Sequence, residues 1–352
     1  MTSNMFSSFY KDIGIDLGTT KTIIYTKGRG IVINEPSVVA VNNKTDQILA
    51  VGTEARDMLG KTPEHITAIK PIVNGVISDF EVTEKMLRYF FDKLNEKFSA
   101  ASLFNWPRVV VGIPFGGTEV EKRAVEDVIH NAGARKVYLV ENPVAVAIGA
   151  RLPINEPTGH LVVDIGGGTT EVAIVSLNGI VVAKSLRVAG NKLNDDIIYY
   201  IRDEFKLAIG EQTAEQLKIN LGSARDMAGH QEMVVRGRDL SRGLPKEIKV
   251  DEAEIREAIS TSVRAIVETI KGVIEITPPE LVSDIMSGSI LLSGGTSLLR
   301  GLDKLIQDET GIPVKIIEDP LTAVARGTGI ILENFNAYKL LLVDLKREQP
   351  PV

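Results

Sequence analysis

Apolar and polar positions along the chain fall into two successive series, each of strands first and helices after. Short apolar runs separated by turn residues predict strands at 13–17, 22–26, 31–33, 37–41 and 48–51, with a helix near 53–60. Met86, Leu87, Phe90, Phe91 and Leu94 recur at helical spacing and predict a helix over 83–97, with Thr83 as its N-cap. A buried strand at 109–113, a helix over 118–131, a strand at 137–140 and a small-residue helix at 143–150 close the first series. The second opens with strands at 161–165, 171–176 and 180–187, followed by helices at 191–207 and 212–221 and a hairpin within 230–250. Ile255, Ile259, Val263, Ile266, Ile270 and Val273 form one stripe and predict a long core-facing helix over 251–276. A strand at 290–293, a helix at 297–308, a strand at 314–317 and a helix at 321–333 complete it, and residues 346–352 form a polar, Pro-rich tail. Inserts are expected at about 35–72 and 186–246. No low-complexity linker separates the halves, which are expected to pack tightly about a hinge.

One device occurs in both series. Residues 13–25 read IGIDLGTTKTIIY and residues 162–175 read VVDIGGGTTEVAIV. Each is an apolar strand that ends in Asp, a Gly/Thr turn, and a second apolar strand. Asp164 follows Asp16 by 148 positions, about one domain length. Glycines let backbone N–H groups approach an anion closely, and the hydroxyls of Thr19, Thr20, Thr22, Thr169 and Thr170 add donors. Asp16 and Asp164 at the strand ends suit a hydrated Mg²⁺, which prefers carboxylate and water oxygens. A single such motif reads equally well as a tight hairpin; the second copy favours a phosphate clamp. A third segment, LLSGGTSLLRG at 291–301, runs a strand into Gly294 and Gly295 with a helix expected from Thr296, an arrangement suited to an anionic group. Glu215 and Lys218, three apart on a helix, read by spacing as a surface ion pair.

Bulk composition narrows the classes. The 352 residues suffice for roughly two domains, and 44% hydrophobic with 24% charged content supports a substantial core. Forty basic against 46 acidic residues, a net charge of −6, argues against a nucleic-acid binder. With no cysteine, disulfides, thiolate metal sites and Cys nucleophiles are excluded, and four His make a His-rich metal site improbable. No apolar run approaches the ~18 residues that span a bilayer, and Lys11 and Asp12 interrupt any signal-peptide core. A cytoplasmic protein, free or lying on a membrane surface, is expected.

The ordered segments IDLGTT, VENPVAVAIGA (140–150), DIGGGTTE, LLSGGTSLL and AVARGTGI (323–330) resemble the phosphate-1, connect-1, phosphate-2, adenosine and connect-2 motifs of the actin/Hsp70/sugar-kinase ATPase superfamily. Within it, GIVINEPSVVA (30–40), AVGTEARDMLGKTP (50–63), GVISDFEVTEKML (75–87) and LPINEPTG (152–159) resemble the MreB family of bacterial actins, over about residues 11–335. The resemblance implies an α/β fold of duplicated ribonuclease-H-like, actin-like ATPase domains with two smaller inserted subdomains around a nucleotide cleft. Subdomain IA would comprise 10–34, 73–146 and 326–352, IB 35–72, IIA 147–185 and 247–325, and IIB 186–246. It implies ATP or ADP with Mg²⁺: Gly18, Thr19, Thr20, Gly166, Gly167, Gly168 and Thr169 on the phosphates, and Asp16 and Asp164 orienting the ion through waters. Gly294, Gly295 and Thr296 would pack on the nucleotide. Glu215 and Lys218 would lie beside the adenosine, which reverses the ion-pair reading.

The chain departs from the family pattern at connect-1. Where the family has a Glu that positions the attacking water with the first Thr of phosphate-2, this chain has Asn142, in Glu141-Asn142-Pro143; Thr169 is kept. Asn bonds a water but carries no charge and is a negligible base. Nucleotide binding with weak hydrolysis is expected, and the rival reading is that Glu141 substitutes. Lys21 stands where the family commonly has Asn; it either adds charge near the phosphates or faces solvent. Phe115 replaces a small residue before Gly116.

Met5, Phe6, Phe9 and Tyr10 share one helical face, and Leu103, Phe104 and Trp106 form a bulky loop flanked by Lys97 and Arg108. Aromatics beside basic residues suit a membrane interface as well as ordinary anchoring of a terminus and a loop. The resemblance favours the membrane, at its inner face. It also implies self-assembly head to tail into paired antiparallel protofilaments, and related bacterial actin paralogues as further partners. Against an Hsp70-type chaperone, the residues after connect-2 leave no room for a peptide-binding domain. Against a sugar or small-acid kinase stand the MreB-like segments.

Overall fold

The computed structural model describes residues 12–97, 107–227, 229 and 231–343. It divides into two compact units, one of Met1–Glu156, Leu177–Gly179 and Thr322–Val352, the other of Pro157–Ser176 and Ile180–Leu321. Each is built on a five-stranded mixed sheet with the same internal order, third–second–first–fourth–fifth by position in the chain.

In the first unit that order is Gly30–Pro36, Lys21–Thr26, Ile13–Leu17, Arg108–Ile113 and Lys136–Glu141. Ile13–Leu17 is antiparallel to Lys21–Thr26 and parallel to Arg108–Ile113. Central strands covered on both faces need apolar residues throughout, and Val109, Val110 and Val111 are fully buried. Met86, Leu87 and Phe90 of the Phe80–Lys97 helix and Val128 and Ile129 of the Glu119–Asn131 helix share the core of this sheet. The first of these helices starts three residues before the expected Thr83. Asp79 is the residue that caps it, its Oδ1 accepting from Val82 N at 3.0 Å, while the buried Thr83 hydroxyl donates to the Asp79 carbonyl at 2.6 Å. Thr118 and Glu121 form a reciprocal capping box at the second. Between 35 and 72 a three-stranded sheet of Gln47–Val51, Val39–Asn42 and Ile66–Ile69 has a small core of its own around Val38, Ala40, Ala50 and Ala55. At the chain's far end Phe335 packs edge-on against Tyr138 and lies beneath the Arg108 guanidinium, which is paired with the buried Asp12.

In the second unit the corresponding order is Gly179–Leu186, Thr170–Ser176, His160–Ile165, Ile290–Ser293 and Val314–Ile316. The Glu252–Glu275 helix, opened by an Asp251/Glu254 capping box, buries the predicted stripe from Ile255 to Val273. Glu232–Asp239 and Pro245–Asp251 form the expected hairpin. Two differences concern the later helices. Pro279–Ser287 is a helix with no counterpart among the expected elements; Pro279 is tolerated at its start because a proline in the first helical turn lacks only an N–H with no helical partner. The helix expected over 297–308 is instead a 3-10 turn, Gly295–Leu298, and a separate helix, Leu302–Thr310. Leu299 is extended and Gly301 left-handed, so no continuous ladder crosses 299–301. No helix among the described residues is long and apolar enough to cross a membrane.

Candidate functional site

Both Asp-Gly-Thr turns join the first and second strands of their sheets, so each lies at the same topological position in its own unit. In the first unit, Gly18 N bonds the Lys21 carbonyl at 3.0 Å, and a Cβ at Gly18 would stand 2.8 Å from that oxygen. The turn is held from behind by Ser37. Its hydroxyl donates to the Gly18 carbonyl at 2.7 Å, and its N–H donates to the Thr20 carbonyl at 3.0 Å. The buried Thr19 hydroxyl accepts from Gly75 N at 2.8 Å, while Thr20 is exposed and Asp16 and Lys21 half-buried. The Gly18 and Thr20 carbonyls are thus spent on Ser37, and the exposed Thr20 hydroxyl is a donor that an anion can use.

Asn142 opens the Asn142–Gly149 helix directly after strand Lys136–Glu141, and Pro143 sits in its first turn. The Asn142 carboxamide lies over Gly112, where a Cβ would approach its Oδ1 to 2.6 Å. Gly112 is in register with Asp16 on one side and Val140 on the other, so Asp16 and Asn142 are gathered around one glycine. Glu141 is half-buried and its side chain does not cap the helix.

The second unit draws most of its predicted residues together around Gly166. Gly166 N bonds the Thr169 carbonyl at 2.9 Å, which closes the turn. The Gly166 carbonyl accepts from Thr296 Oγ1 at 2.8 Å and from Gly190 N at 3.2 Å, and the Gly167 carbonyl accepts from Asn191 N at 2.8 Å. Lys218 Nζ donates to the Gly190 carbonyl at 2.9 Å. Glu215 stands half-buried one turn earlier on the Glu211–Leu221 helix. Gly294 has φ +80°, and a Cβ there would meet the Ile165 carbonyl at 2.3 Å, so only glycine lets the 293–296 turn lie against the phosphate-2 strand. Gly295 is exposed, and Gly168 is buried within the turn.

Burial pushes the Asp164 carboxyl up to about 6, against the opposing pull of a Ser293 hydrogen bond. At neutral pH it is still the carboxylate, and a cation beside it would reverse the shift. Among the described residues no group of three or more His, Asp or Glu is placed to hold a metal ion. Asp164, a single carboxylate with no cluster of ligands about it, suits an ion that keeps most of its waters and not a protein-caged metal.

Two contributors were not apparent from the sequence alone. Gly190 starts the Gly190–Phe205 helix at the phosphate-2 turn, so the helix N-terminus at this site belongs to that segment and not to 296 onward. Its cue was a glycine directly before an amphipathic run. Glu171, an acid inside the apolar Thr170–Ser176 strand, accepts from Thr169 Oγ1 at 3.1 Å. Phe6, Phe9, Leu103, Phe104 and Trp106 lie outside the described residues.

A family model described as MreB/Mbl protein matches residues 10–340. The chain belongs to the MreB/Mbl family. The family's relatives include the cell shape-determining protein Mbl of Bacillus subtilis, 47% identical over 93% of this chain and 97% of its own length. The cell shape-determining protein MreB of Escherichia coli is 49% identical over 94% and 95%. Among solved structures, MreB5 of Spiroplasma citri, crystallised with ADP and also with AMPPNP, superposes with a TM-score of 0.88 at 39% identity, over 94% of this chain and 98% of that one. The MreB/Mbl chain described here therefore has the actin-like ATPase fold of a bacterial cell-shape protein family, as the motif order implied.

Proposed function

We propose that this chain binds ATP and ADP with Mg²⁺ and assembles into filaments, and that its hydrolysis is slow. The observation that carries the reading is the convergence of Gly166, Gly190, Lys218 and Thr296 through hydrogen bonds of 2.8–3.2 Å. Bonds from Thr296, Gly190 and Asn191 occupy the Gly166 and Gly167 carbonyls, so those oxygens do not oppose an anion next to the positive end of a 16-residue helix. That MreB5 of Spiroplasma citri takes ADP and AMPPNP supports a nucleotide as that anion.

In this reading Gly18, Thr20, Gly166, Gly167 and Gly168 serve the phosphates. Lys21 adds charge at the first turn, and Gly294, Gly295 and Thr296 back the adenosine with Glu215 and Lys218. Asp16 and Asp164 hold waters of the ion, which when bound neutralises phosphate charge. Thr169 and Asn142 contact the attacking water, and Glu141, whose side chain is not engaged as a cap, is the rival carboxylate. Binding is tested by titration with a fluorescent ADP. Gly190→Ala puts a Cβ 2.7 Å from the Thr296 hydroxyl and displaces its bond to Gly166. It is expected to weaken binding by up to about tenfold, the worth of one hydrogen bond; unchanged affinity would remove this cluster from the site.

Filament formation is proposed on the family resemblance. Sedimentation and electron microscopy with ATP and with ADP should show polymers, and their absence under every nucleotide would overturn this part of the reading. Peripheral membrane attachment through Phe6, Phe9, Leu103, Phe104 and Trp106 is proposed on the aromatic and basic pattern of those segments. A Leu103→Ser, Phe104→Ser double variant is expected to lose co-sedimentation with anionic liposomes, and unchanged binding would count against that loop. Copolymerisation with a hydrolysing relative is the corresponding test of a paralogue role.

A further inference from the structure

The Thr170–Ser176 strand is buried along its whole length, and Glu171 within it is fully buried. A carboxylate removed from water is costly unless it is bonded, so a function for its bond is worth seeking. Thr169 Oγ1 donates to Glu171 Oε1 at 3.1 Å. The two residues are two apart on an extended segment and so share a face, and Thr169 is only partly covered where the turn opens. A threonine hydroxyl has one proton and two lone pairs. With that proton held by Glu171, the hydroxyl presents lone pairs on its open side. It can therefore accept from a water's O–H and cannot turn to donate to that water's oxygen, whose lone pair must stay available for attack.

We propose that Glu171 is a positioning residue for hydrolysis, locking the Thr169 hydroxyl as a hydrogen-bond acceptor for the attacking water. The proposal rests on the nucleotide-hydrolysing reading above. No proton leaves Thr169 and no charge leaves Glu171; the contribution is orientation alone. It weighs more in this chain than where the connect-1 position is a Glu, since Asn142 supplies no charge to align the water.

The test is phosphate release with kcat and KM separated, in the wild type and in the Asn142→Glu background. Glu171→Leu removes the acceptor and is expected to lower kcat about tenfold, one transition-state hydrogen bond, with KM unchanged. Thr169→Ala should lose as much, and the double variant no more, because the residues act as one unit. Glu171→Gln, whose amide oxygen still accepts, should retain the wild-type kcat, and Glu171→Met substitutes for Leu if that variant does not fold. Unchanged kcat in Glu171→Leu or Glu171→Met, additive losses, a loss confined to KM, or failure of Gln to rescue would each overturn the proposal and leave the hydrolysis reading intact. If neither the wild type nor Asn142→Glu releases phosphate above the spontaneous rate while both bind ADP, the hydrolysis reading itself fails and the proposal with it.

Discussion

Replacing Asn142 by Glu is expected to raise phosphate release on the order of 10²-fold, the lower part of the range that a positioned general base contributes. The expectation rests on where the side chain sits. Asn142 starts a helix whose next seven residues are all buried, so its backbone is fixed. Its carboxamide lies over Gly112, the register partner of Asp16, and the lack of a side chain at Gly112 makes the room it occupies. A Glu adds one methylene and a negative charge on the same vector, without a change of fold. The lower end of the range is appropriate because the new carboxylate shares its surroundings with Asp16 and must be partly desolvated. The rival carboxylate is Glu141, one residue earlier. If Glu141 already serves as base, Asn142→Glu leaves the rate unchanged and Glu141→Gln lowers it sharply; if the slow-hydrolysis reading holds, Glu141→Gln leaves the low basal rate where it is. ADP affinity should be the same in all three proteins, which separates chemistry from binding.

How far the sequence reveals this site follows from the kind of interaction involved. The phosphate turns are legible because strand, Asp, Gly and Thr are consecutive and each has a local physical reason. The two sheets follow from them, since apolar runs of four to eight residues bounded by turns are strands in either series. Connections across long separations are not legible in this way. Lys218 bonds the carbonyl of Gly190 and Thr296 that of Gly166, a separation of 130 residues in the second case. Nothing local to Gly190 announces that its helix is the one aimed at the turn. The 296 helix failed for the opposite reason: glycine followed by Thr-Ser-Leu-Leu is a good local start, but the left-handed Gly301 and extended Leu299 divert the chain before a second turn forms. The Ile66–Ile69 strand escaped because four residues with a mixed pattern gain strand character only by pairing with Val39–Asn42. Glu171 is one charge in an apolar strand, and its bond to the Thr169 hydroxyl becomes evident only in the folded turn.

Gly327→Ala is expected to destabilise the first unit by about 3 kcal/mol, even though alanine is the better helix former. In the Ala323–Glu333 helix, a Cβ at Gly327 would stand 1.9 Å from the Ala145 carbonyl oxygen and 2.6 Å from its carbon. The approach is reciprocal, since a Cβ at Gly149 would stand 2.2 Å from the Ala323 carbonyl. Every one of these atoms is backbone, so no rotamer change relieves the contact and the two helices must move apart. The gain in helix propensity is ~1 kcal/mol. Overpacking costs about 1–3 kcal/mol where neighbours can shift and more where they cannot, so the steric term wins. Gly117→Ala serves as the control, because its Cβ would meet nothing closer than 3.6 Å and the change should fall within ~0.5 kcal/mol. Urea unfolding followed by circular dichroism reads the difference, and equal midpoints for the two variants would show that the helix pair is not the tight joint described here. The consequence extends to the site. Asn142 begins the helix that Gly327 presses against, and Val324, about one turn before Gly327 on the same partner, would lie 2.6 Å from a Cβ at Gly112. Forcing the pair apart lifts Asn142 off Gly112, so in the Asn142→Glu background Gly327→Ala should also cancel most of the gain in phosphate release while ADP still binds.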